Sequence, residues 1–440
     1  MDKKICGTLI AALFIFSALT PLIAASKSGE IRTEPKYPWV IIAYVSLDNI
    51  QFGTFPSDLW GITEYILRIA SLVVPESPPC ILLYDGMTDG DSKIYSMGEK
   101  KVIDDEGAVI PQSNEVNYGD PDTMANFVIW AAREYPAQHY LLMMCHNYGW
   151  EGFNTDESSP GAPGGNGMDI ITEVECRYAL QKIDEAGVHI DVLFMDACEF
   201  TMLENLYQIA PYVDYIVGFE DLMTFDGMIP QILIPYLKIS ANPNISPEEV
   251  AIALTKSFPP ITLMTLFSEF SSIYPGALMA ELFGAIGGHI SMPCCFAIKT
   301  SEIEAIAAAT DLLAATLRYD IGLLSTARDA REGVRVFPIF PWIVDLCDFA
   351  ERLYHGTDDE VVKSRCLNLM DAINSAIIEE SKLLIDRGAH GISINFPNSK
   401  SEYSRSMQNY FDPSCTYYEL EFAKDTQWDE FVAAYTEAVA

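Results

Sequence analysis

From residue 39 to residue 218, short apolar runs alternate with segments of helical periodicity. The runs are 39–45 (WVIIAYV), 80–84 (CILLY), 139–145 (HYLLMMC), 190–195 (IDVLFM) and 215–218 (YIVG). They are nearly continuous in hydrophobicity, the pattern of strands covered on both faces. Helices are predicted between them over about 57–73, 121–134, 173–187 and 199–210. The second has Asp120 as N-cap and Pro121 at its first position, and the third opens on a capping box, Thr172-x-x-Glu175. Strand–helix alternation of this kind builds a mostly parallel sheet, whose functional residues gather at the carboxyl ends of the strands. Two ends carry reactive groups: His146 after the third run, and Asp196-Ala197-Cys198 after the fourth.

The second half is more helical. Ser246-Pro247-Glu248-Glu249 caps one helix, and others are predicted over 301–318, 342–353, 360–384 and near Trp428. A late strand is predicted at 391–396. The longest loose segment is 152–167, rich in Gly, Pro, Ser and Asp, a length at which loops usually carry function. Its Gly164-Gly165-Asn166-Gly167 lacks a strand–glycine–helix context and any nearby Lys or Arg, which argues against a phosphate cradle.

The first 26 residues differ from the rest. Lys3 and Lys4 precede an apolar stretch that runs to Ala25 and closes on Ala24-Ala25-Ser26, a small-x-small pattern suited to signal peptidase. The rival is an uncleaved anchor, since about 20 apolar residues span a bilayer. Either reading predicts an exported body, secreted in the first case and tethered in the second. Cys6 lies too early to be a lipoprotein cysteine.

Composition narrows the partners. Half the 440 residues are hydrophobic and 20% are charged, as in a globular protein, and the formal charge is −35. That field repels nucleic acid and anionic membrane surfaces and favours basic ligands. Of ten cysteines, nine remain after loss of Cys6, so a monomer keeps at least one unpaired thiol. No CxxC pair suggests zinc, and most of the cysteines sit in apolar runs as small core residues.

A nucleophilic thiol needs a base, and histidine is the usual one. The chain has only six histidines, and His146 stands where an imidazole would face a cleft. Cys198 follows the next strand, at the start of the predicted helix, where exposed N–H groups would lower a thiol's pKa. The separation of 198 − 146 = 52 residues, His first, is close to the roughly 50 of the caspase arrangement. On spacing alone, a buried strand-end cysteine remains the simpler reading.

The surrounding words add to this. Asn117-Tyr118-Gly119-Asp120-Pro121, Phe127-Val128-Ile129-Trp130-Ala131, Tyr135-Pro136-Ala137, the strand into His146, and Gly149-Trp150 resemble the clostripain-like cysteine peptidases. So do the run from Ile190 to Asp196-Ala197-Cys198, Trp39 to Tyr44, Asp345-Leu346-Cys347-Asp348-Phe349-Ala350, and Gly391 to Pro397 with Trp428 and Phe431. The resemblance covers the chain from about residue 38 to its end. It implies a caspase-like α/β/α sandwich with a mostly parallel central sheet, plus a helix-rich C-terminal domain. It also implies a Cys–His dyad in an endopeptidase that cleaves protein or peptide substrates after Arg or Lys.

By the same resemblance, His146 matches the catalytic base and Cys198 the nucleophile. The backbone N–H groups of Asn147 and Cys198 match the oxyanion hole. Asp196 and Asp226 match the acids that receive the basic side chain, with Glu220 and Asp221 as alternatives to Asp226. The bland roles are a helix cap for Asp196 and a turn residue for Asp226. Calcium is often required in the family; the many carboxylates permit it, but no EF-hand spacing assigns ligands. Two departures stand out: Asn147 replaces a usual glycine, and Glu199 replaces a usual apolar residue. They support the alternative of a binding or scaffold protein on the same fold; a peptidase of different specificity is a further reading. The expected organisation is 1–26 as signal or anchor, 36–270 as the catalytic domain and 271–440 as the C-terminal domain.

Overall fold

The computed structural model describes residues 34–46, 77–85, 92–97, 116–145, 152–156, 169–221, 228–258, 294–337, 340–382, 388–409, 412 and 414–439. The N-terminal 26 residues and the whole of the predicted helix at 57–73 lie outside them. The described strands are β1 (Tyr37–Ser46), β2 (Cys80–Asp85), β3 (Lys93–Met97), β4 (Ala137–Cys145), β5 (Phe153–Asp156) and β6 (Asp169–Ile171). They continue with β7 (Ile190–Met195), β8 (Val213–Phe219), β9 (Cys295–Lys299), β10 (Ile343–Asp345), β11 (Ile377–Ser381) and β12 (Ser393–Asn395).

Eight of these form one sheet in the order β11-β9-β8-β7-β4-β1-β2-β3. The five apolar runs are its parallel centre: β1 pairs with β2 and β4, β4 with β7, and β7 with β8. Its flanks are antiparallel, β3 on β2 at one edge and β9 and β11 at the other. The chain steps from β1 outward to β2, then returns past β1 to β4, so the order reverses between β1 and β4. Ligands of open α/β sheets bind near such a reversal, beyond the carboxyl ends of the strands.

Both faces are covered, as the continuous apolar runs require. Along β1, Val40, Ile42 and Tyr44 face one core while Trp39, Ile41, Ala43 and Val45 face the other. The first core is closed by helices α1 (Pro121–Glu134), α2 (Glu173–Glu185) and α3 (Leu203–Ile209), together with the later helices Ile303–Leu317, Leu346–Gly356, Glu360–Ala376 and Trp428–Val439. The second is closed by α4 (Met228–Ala241) and α5 (Pro247–Thr255). The predicted caps form: Asp120 accepts from the Asp122 N–H, and Thr172 and Ser246 each complete a capping box. Each such cap contributes about 1 kcal/mol.

The second half departs from expectation at two of its predicted helices. Residues 343–345 are strand β10, paired with β12, and the helix starts only at Leu346. The helix predicted to reach 384 ends at Ala376, where Ile377–Ser381 turns into β11 and pairs with β9. Apolar β-branched runs this short suit either state, and the available strand edge decided both. Phe396, Trp428, Phe431 and Phe349 interlock by ring contacts, and the Trp428 Nε1–H donates to the Asn395 carbonyl at 2.8 Å. These are the aromatic residues of the C-terminal words noted in the sequence.

Candidate active site

The two reactive strand ends lie side by side. β4 and β7 pair in parallel register from Leu141↔Val192 to Met144↔Met195, and the Asp196 N–H extends the ladder to the Met144 carbonyl at 3.0 Å. β4 ends at Cys145; His146 and Asn147 lie outside the described residues, and so does Asp226. Asp196 and Cys198 are described, and both stand on the segment that leaves β7.

That segment is not a helix. α3 begins at Leu203, with Met202 as an N-cap that offers no side-chain hydrogen bond. This overturns two expectations: Cys198 does not sit at a helix N-terminus, and Asp196 does not cap the helix that follows. The reason is local. Glu199 adopts φ +54°, outside helical space, and its N–H donates to the Asp221 carbonyl at 3.1 Å. The Thr201 N–H donates to the Phe219 carbonyl, and the Thr201 carbonyl accepts from the Ser393 N–H. Backbone groups that would have closed the first helical turn are used to bind the end of β8 and the start of β12. Gly218 permits the approach, since a Cβ there would stand 3.1 Å from the side chains of Phe200 and Thr201.

Burial separates Cys198 from the other thiols. Nine cysteines are described and none is in a disulfide; eight are buried and Cys198 is half-buried at the rim of the second core. Burial pushes the Cys145 thiol well up, and the nearby Asp196 carboxylate pushes it further. Burial alone raises Cys80 to about 12, and it raises Cys176 to about 12 with a smaller contribution from Glu173. Asp196 is itself buried, beneath the turn and close enough to raise Cys295 in part.

Glu220 and Asp221 are directed inward. Asp221 accepts from the Arg335 Nη2 at 2.6 Å, and Glu220 accepts from the Gly391 N–H at 2.7 Å. Both are fully buried, which removes them as alternatives to Asp226 for an outward-facing acid. His139 is bonded to Asp191 at the opposite end of β4, and His390 to Asp345. Sequence reasoning missed Arg335 and the Asp345–His390 pair, although Asp345 and Gly391 belong to words it had noted.

The Asn117-Tyr118-Gly119-Asp120 word has a structural explanation. β5 and β6 form an antiparallel hairpin where sequence predicted only a loose segment. The Asn117 Nδ2 donates to Asp169 at 2.6 Å and the Tyr118 N–H to Asp156 at 2.9 Å, tying both strands down. A Cβ at Gly119 would lie 2.5 Å from backbone atoms of Asp169 and Ile170, so only glycine allows this contact. The hairpin is contributed by the stretch between residues 146 and 198.

Among the described residues no three or more His, Cys, Asp or Glu are placed to share a metal ion, so no calcium ligands are assigned. Among them, too, no helix is long and apolar enough to cross a membrane.

Three solved structures resemble this fold. An inactive zymogen C11 protease from Parabacteroides distasonis is 16% identical with a TM-score of 0.55, over 90% of this chain and 99% of the other. A secreted C11 cysteine protease from Bacteroides thetaiotaomicron, in complex with an irreversible peptide inhibitor, is 18% identical with a TM-score of 0.54, over 85% and 97%. The structure of a secreted C11 cysteine protease from that organism called iotapain is 13% identical with a TM-score of 0.55, over 89% and 100%. No match appears among the curated proteins. The identities are low and show the fold, a caspase-like α/β arrangement. The sequence carries the assignment further, because the model of the clostripain family matches residues 70–435: the chain belongs to the clostripain family of cysteine peptidases.

Proposed function

We propose that the protein is an exported cysteine endopeptidase that cleaves after Arg or Lys, with Cys198 as nucleophile and His146 as base. The observation that carries this reading is Cys198 itself: the one half-buried thiol among the described cysteines, on a strained turn beyond β7, beside the strand that leads into His146. Strained backbone of this kind costs about 1–3 kcal/mol and clusters at functional sites. His146 takes the Cys198 proton, and the Sγ attacks the scissile carbonyl carbon. The carbonyl electron pair moves to the oxygen, which the N–H groups of Asn147 and Cys198 receive. Collapse of the adduct expels the amine, which takes the proton back from His146, and water then hydrolyses the acyl-enzyme. Asp196 and Asp226 are the acids proposed for the substrate's basic side chain, where a guanidinium can be held bidentately. Residues 1–26 are the proposed export signal, 36–270 the catalytic domain and 271–440 the C-terminal domain.

The test is covalent labelling. An acyloxymethyl ketone carrying a peptide that ends in Arg should modify Cys198 stoichiometrically, as read by mass spectrometry, and the same reagent ending in Leu or Asp should not. Labelling on any buried cysteine in preference to Cys198 refutes the nucleophile. Equal labelling by all three refutes the specificity.

A further inference from the structure

We propose that Arg335 and the buried carboxyl pair Glu220–Asp345 position the Cys198 turn for reaction, a role that rests on Cys198 being the nucleophile. The turn does not hold itself. Glu199 at φ +54° is a non-glycine residue in left-handed space, and its N–H reaches the Asp221 carbonyl. The Thr201 N–H likewise reaches the Phe219 carbonyl. The geometry of the nucleophile is therefore inherited from residues 219–221, just past β8. Such conformations persist only where the surroundings over-determine them.

Those surroundings are side chains from the C-terminal half. The Arg335 Nη2 holds the Asp221 carboxylate at 2.6 Å, and the Arg335 N–H holds Asp348 at 2.7 Å. One residue earlier, Glu220 receives the Gly391 N–H and faces the carboxyl of Asp345. Two adjoining buried carboxyls do not both ionise. Asp345 receives three donors, the N–H of Asp348 at 2.6 Å, the N–H of His390 at 2.6 Å and the His390 ring at 3.0 Å. Glu220 accepts the Gly391 N–H and is completely buried, so the proton is assigned to it. Burial first, and then the Asp345 charge, push the Glu220 carboxyl well up, in agreement with that assignment.

The result is a continuous chain of bonds from the nucleophile turn through Asp221 to Arg335, Asp348, Asp345 and His390, with Glu220 held beside it by Gly391. Among the described residues Arg335 is the arginine bonded to Asp221, whose carbonyl holds the Glu199 N–H. Its role is to fix where Cys198 stands. A misplacement of about 1 Å can cost on the order of a hundredfold in rate without weakening binding.

Four variants test this: Arg335→Met, Arg335→Met/Asp221→Asn, Glu220→Ala and Glu220→Gln. Each is read by melting temperature, by kcat and KM on an Arg-ended peptide, and by the rate at which iodoacetamide alkylates Cys198. The alkylation rate reports the turn even if the wild type hydrolyses no peptide, which separates failure of this inference from failure of the peptidase reading. The double variant removes the arginine without stranding a buried charge, so it keeps the fold where the single variant does not. Folded variants lacking the Arg335 contact, and Glu220→Ala, should lose about tenfold or more in kcat and in alkylation rate, with KM within about twofold. Glu220→Gln should retain both rates, because an amide accepts from Gly391 and is neutral, as the protonated acid is. Wild-type kcat and alkylation in the folded double variant, or a loss confined to KM, overturns the positioning role. A tenfold loss in Glu220→Gln overturns the proton assignment.

Discussion

Cys145 closes β4 and Cys198 stands three residues beyond β7, its parallel neighbour. Both thiols border the core covered by α4 and α5. Cys145 is wholly buried, and burial with the nearby Asp196 charge drives its thiol well up. Cys198 is half-buried, on a turn whose backbone is committed to β8. Exposure of the thiol thus follows from what happens after a strand ends. Cys145 is still within its hydrogen-bond ladder, whereas three further residues carry Cys198 out over the sheet edge. The same end of the sheet yields one wholly buried thiol and one half-buried thiol, and residue type does not distinguish them.

The sharpest way to break this contrast is to exchange the roles. Cys198→Ala should lower peptide hydrolysis by at least about a thousandfold, while Cys145→Ala should retain kcat and lose only on the order of 1 kcal/mol of stability. Loss of activity in a folded Cys145→Ala together with survival in Cys198→Ala would reverse the assignment.

A second experiment extends the rule to a carboxyl. Glu204, in the first turn of α3, is buried, and burial raises it to about 7 against the bonds it accepts from the Asn395 N–H and the Tyr417 hydroxyl. An acid raised on folding favours the neutral form. Its contribution is therefore best below its ordinary value of 4.5, declines as pH rises toward 7, and is level above that. Glu204→Gln removes this titration. Relative to wild type, its stability should improve by on the order of 3 kcal/mol between pH 4 and pH 8, measured by urea unfolding. Parallel pH curves for the two proteins would refute it.

The third concerns specificity. Asp226→Ala should lower kcat/KM for Arg-ended peptides by about 2 kcal/mol, with little change for a neutral residue at that position. Equal losses on both substrates would make Asp226 structural. The smallest expected effect is none at all. Residues 147–176 contain no Lys or Arg, and the next basic residues, Arg177 and Lys182, lie within α2. Arg177 is bonded to the Gln208 carbonyl and Lys182 to Asp122. An enzyme that cuts after basic residues in extended chain finds no site there. Purified wild type and Cys198→Ala should therefore give the same intact mass across residues 147–176, and a Cys198-dependent cut in that span would contradict it.

The sheet was legible because its signals are local. Ile190–Met195 lies where the apolar run places it, and the helix after Asp120-Pro121 begins and ends as its cap and periodicity predict. The start of α3 was not legible, because Glu199 and Thr201 are held by partners at 219–221 and 393 that no window around Cys198 contains. The same holds for the acids: Glu220 and Asp221 read as candidate substrate ligands until Arg335 and Gly391 are seen to occupy them. The antiparallel flank made by β9 and β11 was hidden for a similar reason, since an edge strand is defined by its neighbour more than by its own sequence.

The bond from Ser393 to Thr201 also sets an order of events during biosynthesis. Cys198 is synthesised long before residue 393, yet its turn is closed by the Ser393 N–H and α3 is secured by Asn395 and Tyr417. Closing loops of this length is slow relative to helix formation and local pairing. A growing polypeptide therefore carries Cys198 without its finished mount until residues 390–395 have emerged. In this architecture residues 390–395 complete the mount of a cysteine made nearly two hundred residues earlier.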